Sequence, residues 1–184
     1  MDGSTTAAAN GAERADGGGN GEFAALLERH GPEVYRFLLR LTRNPSDADD
    51  LYQEAALRAC RAFGRLDARA NQRAWFFRIA GNAYLSDRRK HARVQPLGDA
   101  AAGALAAPAD DEDARTDAAA ALARVLPLID GLPRKQRMAL VARKGSGLSY
   151  PEIAVLLGCS EAAARANVHA AVRSLRAGLG DLLD

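Results

Sequence analysis

A chain of 184 residues, 48% hydrophobic but only 5% aromatic and with a net charge of +2, has room for one compact domain or two small ones. Alanine supplies much of the apolar share. No apolar run approaches the ~18 residues that cross a bilayer, and no basic start with an apolar stretch opens the chain, so neither membrane insertion nor secretion is expected. Cys60 and Cys159 form no CxxC pair, and His30, His91 and His169 have no ligand spacing. A reducing cytoplasm, no structural metal and no cofactor follow from that pattern.

Every periodic stretch has helical spacing, which predicts an all-α protein of two small helical domains. Residues 1–20 are Gly, Ala, Ser, Thr and Asn with few bulky apolar side chains, and are expected to form a disordered N-terminal tail. Within residues 21–94, Phe23, Leu26, Leu27, Val34, Phe37, Leu38 and Leu41 recur at helical spacing, with Gly31-Pro32 marking a break or bend. Asn44-Pro45-Ser46 then makes a turn. Ser46 is the expected N-cap of a second helix, where Asp47, Asp49 and Asp50 complement the dipole. That helix runs to about Phe63. Leu51, Ala55, Ala59 and Phe63 point inward, and Asp50, Gln53, Glu54, Leu57, Arg58 and Arg61 point outward.

A third helix begins near Asn71 and ends near Arg93. It turns Trp75, Phe76, Ile79 and Ala83 toward the core and finishes in the basic run RRKHAR. Asp50, Gln53 and Glu54 share one helical face at spacing i, i+3, i+4, which suits either a solvated face or a docking site for a basic partner. The RRKHAR run suits either a solvated helix end or a clamp on nucleic-acid phosphates.

Residues 95–117 carry two prolines, two glycines and the acidic run Asp110–Asp113. Six acidic groups against one basic mark a repelling linker between two basic blocks. In residues 118–184, the stretch SYPEIAVLLGCSEAAARANVHAAVRSLR spanning 149–176 has the layout of a helix-turn-helix. Ser149 and Glu152 make a capping box, Gly158 ends the first helix, and Ser160 caps the second. The first helix presents Ile153, Ala154 and Leu157 on one face, where the small Ala154 permits a close crossing. The second turns Ala164, Val168, Ala171, Val172 and Leu175 inward. An ordinary helical hairpin uses the same caps and the same glycine, so this segment alone leaves both readings open.

Three stretches carry a family resemblance in the first block: Tyr35-Arg-Phe-Leu-Leu-Arg-Leu-Thr42, Asp47-Ala-Asp-Asp-Leu-Tyr-Gln-Glu54 and Arg73-Ala-Trp-Phe-Phe-Arg-Ile-Ala80 with Asn82. They resemble the promoter-melting region of bacterial sigma factors of the extracytoplasmic-function (ECF) group. Leu132-Pro-Arg-Lys-Gln-Arg137, followed by Gly147-Leu-Ser-Tyr-Pro-Glu-Ile-Ala154 and Leu157-Gly158, resembles the second domain of the same group. The resemblance covers about residues 22–94 and 118–178, in order, with a linker between.

What the resemblance implies falls on specific positions. Asp50, Gln53, Glu54, Leu57 and Arg58 would dock on core RNA polymerase, at its β′ subunit, with the β subunit as a further contact. The loop Gly64 to Gln72, with Arg65, Arg69 and Asn71, would capture a base flipped from the −10 element. Arg73, Arg78, Asn82, Arg88, Arg89 and Lys90 would hold that duplex and its opened strand. Ser160, Glu161, Ala162, Ala163, Arg165, Ala166, Asn167 and His169 would meet the −35 element in the major groove. Where such factors show a Thr-Val-Lys-Ser-Arg-like run, this chain has Ala163-Ala-Arg-Ala-Asn167, and each lost phosphate contact lowers the salt slope by roughly 0.9.

The expected function is that of a cytoplasmic sigma factor, which binds core polymerase and promoter DNA, is regulated by an anti-sigma factor, and directs transcription initiation. It is not expected to be an enzyme, since no nucleophile–base pair, metal cluster or phosphate loop is present. A sigma-like decoy for an anti-sigma factor and a stand-alone helix-turn-helix regulator are the competing readings.

Overall fold

A computed structural model describes residues 18–67, 69–94 and 123–180, without the side chains of 18–20 and 88–94. The N-terminal tail and the acidic linker lie outside the described residues. Among the described residues every regular element is helical, as the periodicity requires.

Helix α1 (Gly18–Thr42) runs through Pro32, so of the expected break or bend there is no break. Proline removes one backbone donor, but Leu26, Val34, Phe37, Leu38 and Leu41 on both sides of it are buried in one core, which keeps the two halves in a single helix. The chain leaves α1 through Arg43, whose φ of 55° is left-handed. Asn44, rather than Ser46, caps α2 (Pro45–Phe63): its side-chain oxygen accepts from the N–H groups of Ser46 (2.9 Å) and Asp47 (3.4 Å). Pro45 takes the first helical position, where a missing N–H costs nothing. Asn71 caps α3 (Gln72–Val94) by accepting from the Ala74 N–H at 2.9 Å.

Helix α4 (123–131) is followed by α5 (Arg134–Leu140), which widens into a π-helical turn over Val141–Gly145. Helix α6 (Tyr150–Leu157) begins with the complete Ser149/Glu152 capping box and ends at Gly158, left-handed with φ 62°. The Cys159 N–H reaches back to the Ala154 carbonyl (3.0 Å), closing the Schellman pattern. Ser160 caps α7 (Glu161–Gly180), its Oγ accepting from the Ala163 N–H at 3.2 Å.

Helices α1, α2 and α3 pack on one another, α5 and α6 pack on α7, and α3 also packs on α6. The two expected domains therefore share one apolar core, in which Phe37, Phe76, Phe77 and Tyr84 meet Met138, Leu148, Ile153 and Leu156. This contact explains why α3 buries more than the predicted stripe: Phe77, Ala80 and Tyr84 are covered as well as Phe76 and Ala83, while Trp75 and Ile79 are only half-buried. A helix packed on two sides loses the single-faced pattern that periodicity detects. Leu132, Leu140 and Ala171 form a second small cluster with Ile129, Val172 and Leu175.

Candidate functional site

The outer face of α2 is as the sequence places it. Asp50, Gln53 and Glu54 are exposed, and Leu57 beside them keeps 54% of its surface in solvent, more than any other large apolar side chain described. Arg58 and Glu54 pair at 2.6 Å across one turn. Such an exposed pair contributes little stability, so it orders the face rather than supporting the fold.

The residues expected at the −10 element divide into three groups. Arg65, Arg69, Asn71, Arg78 and Asn82 are exposed along the α2–α3 loop and one side of α3. The side chains of Arg88, Arg89 and Lys90 lie outside those described. Arg73 is engaged in the free chain: all three of its guanidinium nitrogens are bonded at the contact between the two helical blocks. Nε donates to Glu33 (2.7 Å), Nη1 to Glu152 (2.9 Å) and Nη2 to the Ser146 carbonyl (2.8 Å). Glu33 belongs to α1, whereas Ser146 and Glu152 belong to the C-terminal block.

Burial pushes the Glu152 carboxyl up, but hydrogen bonds from Ser149 and Arg73 outweigh it, leaving the pKa below its ordinary 4.5. His30, close to Glu33, Arg73 and Glu152, has its pKa lowered, chiefly by burial. A second polar tie crosses the same seam. Arg43 pairs with Asp130 and donates to the Leu126 carbonyl, and Arg137 reaches both Asp130 and the buried Tyr84 hydroxyl. Between the two ties, Gly81 of α3 lies against Leu156 and Met138 so closely that a Cβ there would stand 2.7 Å from each.

At the start of α7, the second helix of the helix-turn-helix, Ser160, Glu161, Ala162, Arg165, Ala166 and His169 are exposed, and Ala163 and Asn167 are half-buried. The Asn167 amide donates to the Ala163 carbonyl at 2.8 Å, which spends one donor on the helix itself. Arg165 pairs with Glu161 (2.9 Å) and lies over the Tyr150 ring, 4.2 Å from its centroid. Arg143, from the π-helical turn, lies over the same ring at 4.9 Å. Neither Tyr150 nor Arg143 stands out in the sequence. Tyr150 reads there as part of a helix start, and π-helical turns have no sequence signature.

Among the described residues no cluster of His, Cys, Asp and Glu is arranged to hold a metal, and no helix is long and apolar enough to cross a membrane. Among the described residues, exposed acids and a leucine on α2, the exposed cations Arg65, Arg69 and Arg78 on the α2–α3 loop and α3, and a capped helix-turn-helix are the candidate surfaces.

Residues 26–94 match sigma-70 region 2, and residues 122–175 match sigma-70 region 4. The RNA polymerase sigma factor CarQ of Myxococcus xanthus is 36% identical over 174 residues, covering 92% of this chain and 96% of that one. The ECF RNA polymerase sigma factor EcfG of Rhodopseudomonas palustris is 32% identical over 146 residues, covering 79% and 78%. Among solved structures, CnrH in complex with the cytosolic domain of CnrY superposes with a TM-score of 0.64 at 26% identity, covering 89% of this chain and 91% of that one. The sigma factor RpoE of Bartonella quintana, in complex with the anti-sigma factor NepR, shares the fold with a TM-score of 0.67 at 23% identity, covering 86% and 97%. With both regions present in order and relatives matched across most of their length, the chain belongs to the ECF group of RNA polymerase sigma factors, which direct promoter recognition and transcription initiation.

Proposed function

We propose that this sigma factor docks on core polymerase through Asp50, Gln53, Glu54, Leu57 and Arg58, with the polymerase β′ subunit as principal partner and β contacting the C-terminal block. The observation that carries this reading is the outer face of α2, where a largely exposed leucine sits among acids on a helix whose other side is buried. An apolar anchor rimmed by charge is the usual anatomy of a docking site. The exposed cations Arg65, Arg69 and Arg78, with Asn71 and Asn82, meet the −10 element, and the N-terminal half of α7 enters the −35 major groove. The chain acts in the cytoplasm and performs no catalysis; nucleotidyl transfer belongs to the polymerase.

The closed arrangement bears on how promoters are engaged. Elements about 25 base pairs apart are separated by roughly 85 Å at 3.4 Å per step. A compact chain of this length has a radius of gyration of only about 16 Å. One molecule therefore spans both elements only when α3 and α6 part. Two structural relatives are bound to other proteins, an anti-sigma factor in one and the cytosolic domain of CnrY in the other. By analogy, a protein inhibitor that stabilises the closed pair is the expected regulator here.

Run-off transcription with purified core polymerase on a genomic promoter library tests the reading. Transcripts that require this chain and vanish with the double variant Asp50→Ala/Glu54→Arg are expected. Unchanged transcription by that variant overturns the docking assignment.

A further inference from the structure

We propose that Tyr150 is a positioning residue for −35 recognition: its ring aims Arg165, the one Lys or Arg in the first half of the reading helix, at the DNA. The proposal rests on the assignment of α7 to the −35 element and adds how this chain reads it.

The first twelve residues of α7, Glu161–Val172, hold Arg165 and otherwise mostly alanine; the next cations, Arg173 and Arg176, lie two and three turns further along. Sequence information in that stretch therefore rests heavily on one flexible side chain. An arginine free to sample its rotamers loses much of its contribution to binding when it is ordered. Arg165 is not free. Glu161 accepts from its Nη2 at 2.9 Å, and Tyr150 lies under its guanidinium at 4.2 Å.

The two restraints use different parts of the guanidinium. A ring whose centroid lies 4.2 Å from the guanidinium carbon contacts the cation without using its N–H donors, so those that Glu161 leaves open stay available. An edge with two parallel N–H groups matches O6 and N7 of guanine, whereas a lysine ammonium has no equivalent plane.

Tyr150 is itself well placed to impose this geometry. It is the first residue of α6, held by the capping box that starts that helix, and it is half-buried against the core. Arg143 lies over the same ring at 4.9 Å while donating to the Leu148 carbonyl at 2.9 Å, which anchors the stack to backbone before the helix-turn-helix. The first helix of the motif thus sets the side-chain geometry of the second.

The test is transcription by the full chain with core polymerase on a promoter library randomised at the −35 element. Wild type is compared with Tyr150→Phe, Tyr150→Leu, Arg165→Ala and the Tyr150→Leu/Arg165→Ala double variant. Arg165→Ala should flatten the preference at one or two base pairs. Tyr150→Leu should reduce use of the preferred base there by roughly two- to fivefold, as expected for one exposed cation–π contact. Tyr150→Phe should retain the preference, and the double variant should be no worse than Arg165→Ala alone.

Tyr150→Met provides the same comparison if the leucine variant does not fold, as judged by circular dichroism. A Tyr150→Leu or Tyr150→Met loss that is uniform over all −35 sequences, or additive with Arg165→Ala, overturns the proposal by making Tyr150 purely structural. An unchanged −35 preference in Arg165→Ala overturns it while leaving the sigma assignment intact. No promoter-dependent transcript from wild type overturns both.

Discussion

Glu152→Gln should open the closed pair without unfolding either half. Glu152 uses its two carboxylate oxygens differently: Oε2 accepts from the Ser149 N–H and O–H at 2.8 Å each, and Oε1 accepts from Arg73 at 2.9 Å. Glutamine has one such oxygen. Glutamine also serves in a capping box, so its oxygen keeps the Ser149 N–H while its NH2 group faces the Arg73 guanidinium, donor against donor. The side chains of Glu152 and Arg73 are only 13% and 23% exposed, so solvent screens little of the loss. A hydrogen bond to a charged partner contributes about 1.5–3 kcal/mol, and a loss of about 2 kcal/mol shifts the closed-to-open ratio roughly thirtyfold. Cys60 on α2 and Cys159 at the helix-turn-helix turn provide one native labelling position in each half. Energy transfer between dyes at these positions, measured in the free full-length chain, should fall in Glu152→Gln while helical ellipticity is retained. An unchanged distance distribution in both Glu152→Gln and Arg73→Ala would falsify the idea that this arginine holds the halves together.

Three further outcomes follow from the same geometry. Gly81→Val should part the seam without altering charge, since even a Cβ there stands 2.7 Å from Leu156 and Met138; overpacking of about 1–3 kcal/mol should appear as reduced energy transfer, and unchanged transfer would show that the two flexible side chains absorb it. Gly158→Ala places a Cβ on a left-handed residue and should cost about 1–2 kcal/mol, with calorimetry recording a Tm lower by a few degrees; an unchanged Tm refutes the strain argument. Folding lowers the pKa of both His30 and Glu152, so the folded chain binds fewer protons than the unfolded one. The stability this confers is complete above their ordinary values of 6.5 and 4.5 and is lost as pH falls, His30 acting first. Denaturation midpoints should therefore decline on acidification from neutral pH, and His30→Gln should remove the upper part of that decline.

The helices and caps were largely legible because their causes are local. Ser149 with Glu152, Gly158, Ser160 and the α2 pattern Leu51, Ala55, Ala59 each state their structure within a few residues. The errors were also local in origin. Asn44 and Ser46 are both good N-caps two positions apart, and Pro45 decided between them by occupying the first helical position. Gly31-Pro32 suggests a break or bend, and the helix continues through it because residues on both sides share one core. The outward faces of α2 and of the start of α7 are legible as exposed faces, because polar residues and alanine at those positions leave them out of the core. The fate of Arg73 was not legible. Its partners Glu33, Ser146 and Glu152 lie 40 to 79 residues away, and no periodicity encodes which distant acids meet one arginine. The Arg143–Tyr150–Arg165 stack is hidden for a different reason: its members are near in sequence, but they meet across a π-helical turn and the helix-turn-helix turn, whose geometry no periodicity encodes.

Arg73 links the two descriptions of this molecule. In the closed chain its three guanidinium nitrogens are spent on Glu33, Ser146 and Glu152; along the opened −10 strand the same nitrogens would be needed for phosphates. Parting α3 from α6 releases two of the three bonds, both to the C-terminal block, and leaves Glu33 to hold the side chain on its own domain. The side chain then stays on the α1–α3 surface with part of its donor set free. Opening also exposes apolar surface at Gly81, Leu156 and Met138, so it is unfavourable for the chain alone. Docking of the α2 face and the C-terminal block on separate parts of the polymerase would supply that free energy, because tethered sites held apart favour the extended form by their effective concentration. Arg73→Ala therefore acts at two stages: energy transfer in the free protein falls as the closed pair opens, and transcription on core polymerase falls as well. Loss of closure with fully retained promoter melting would mean that Arg73 serves only the seam.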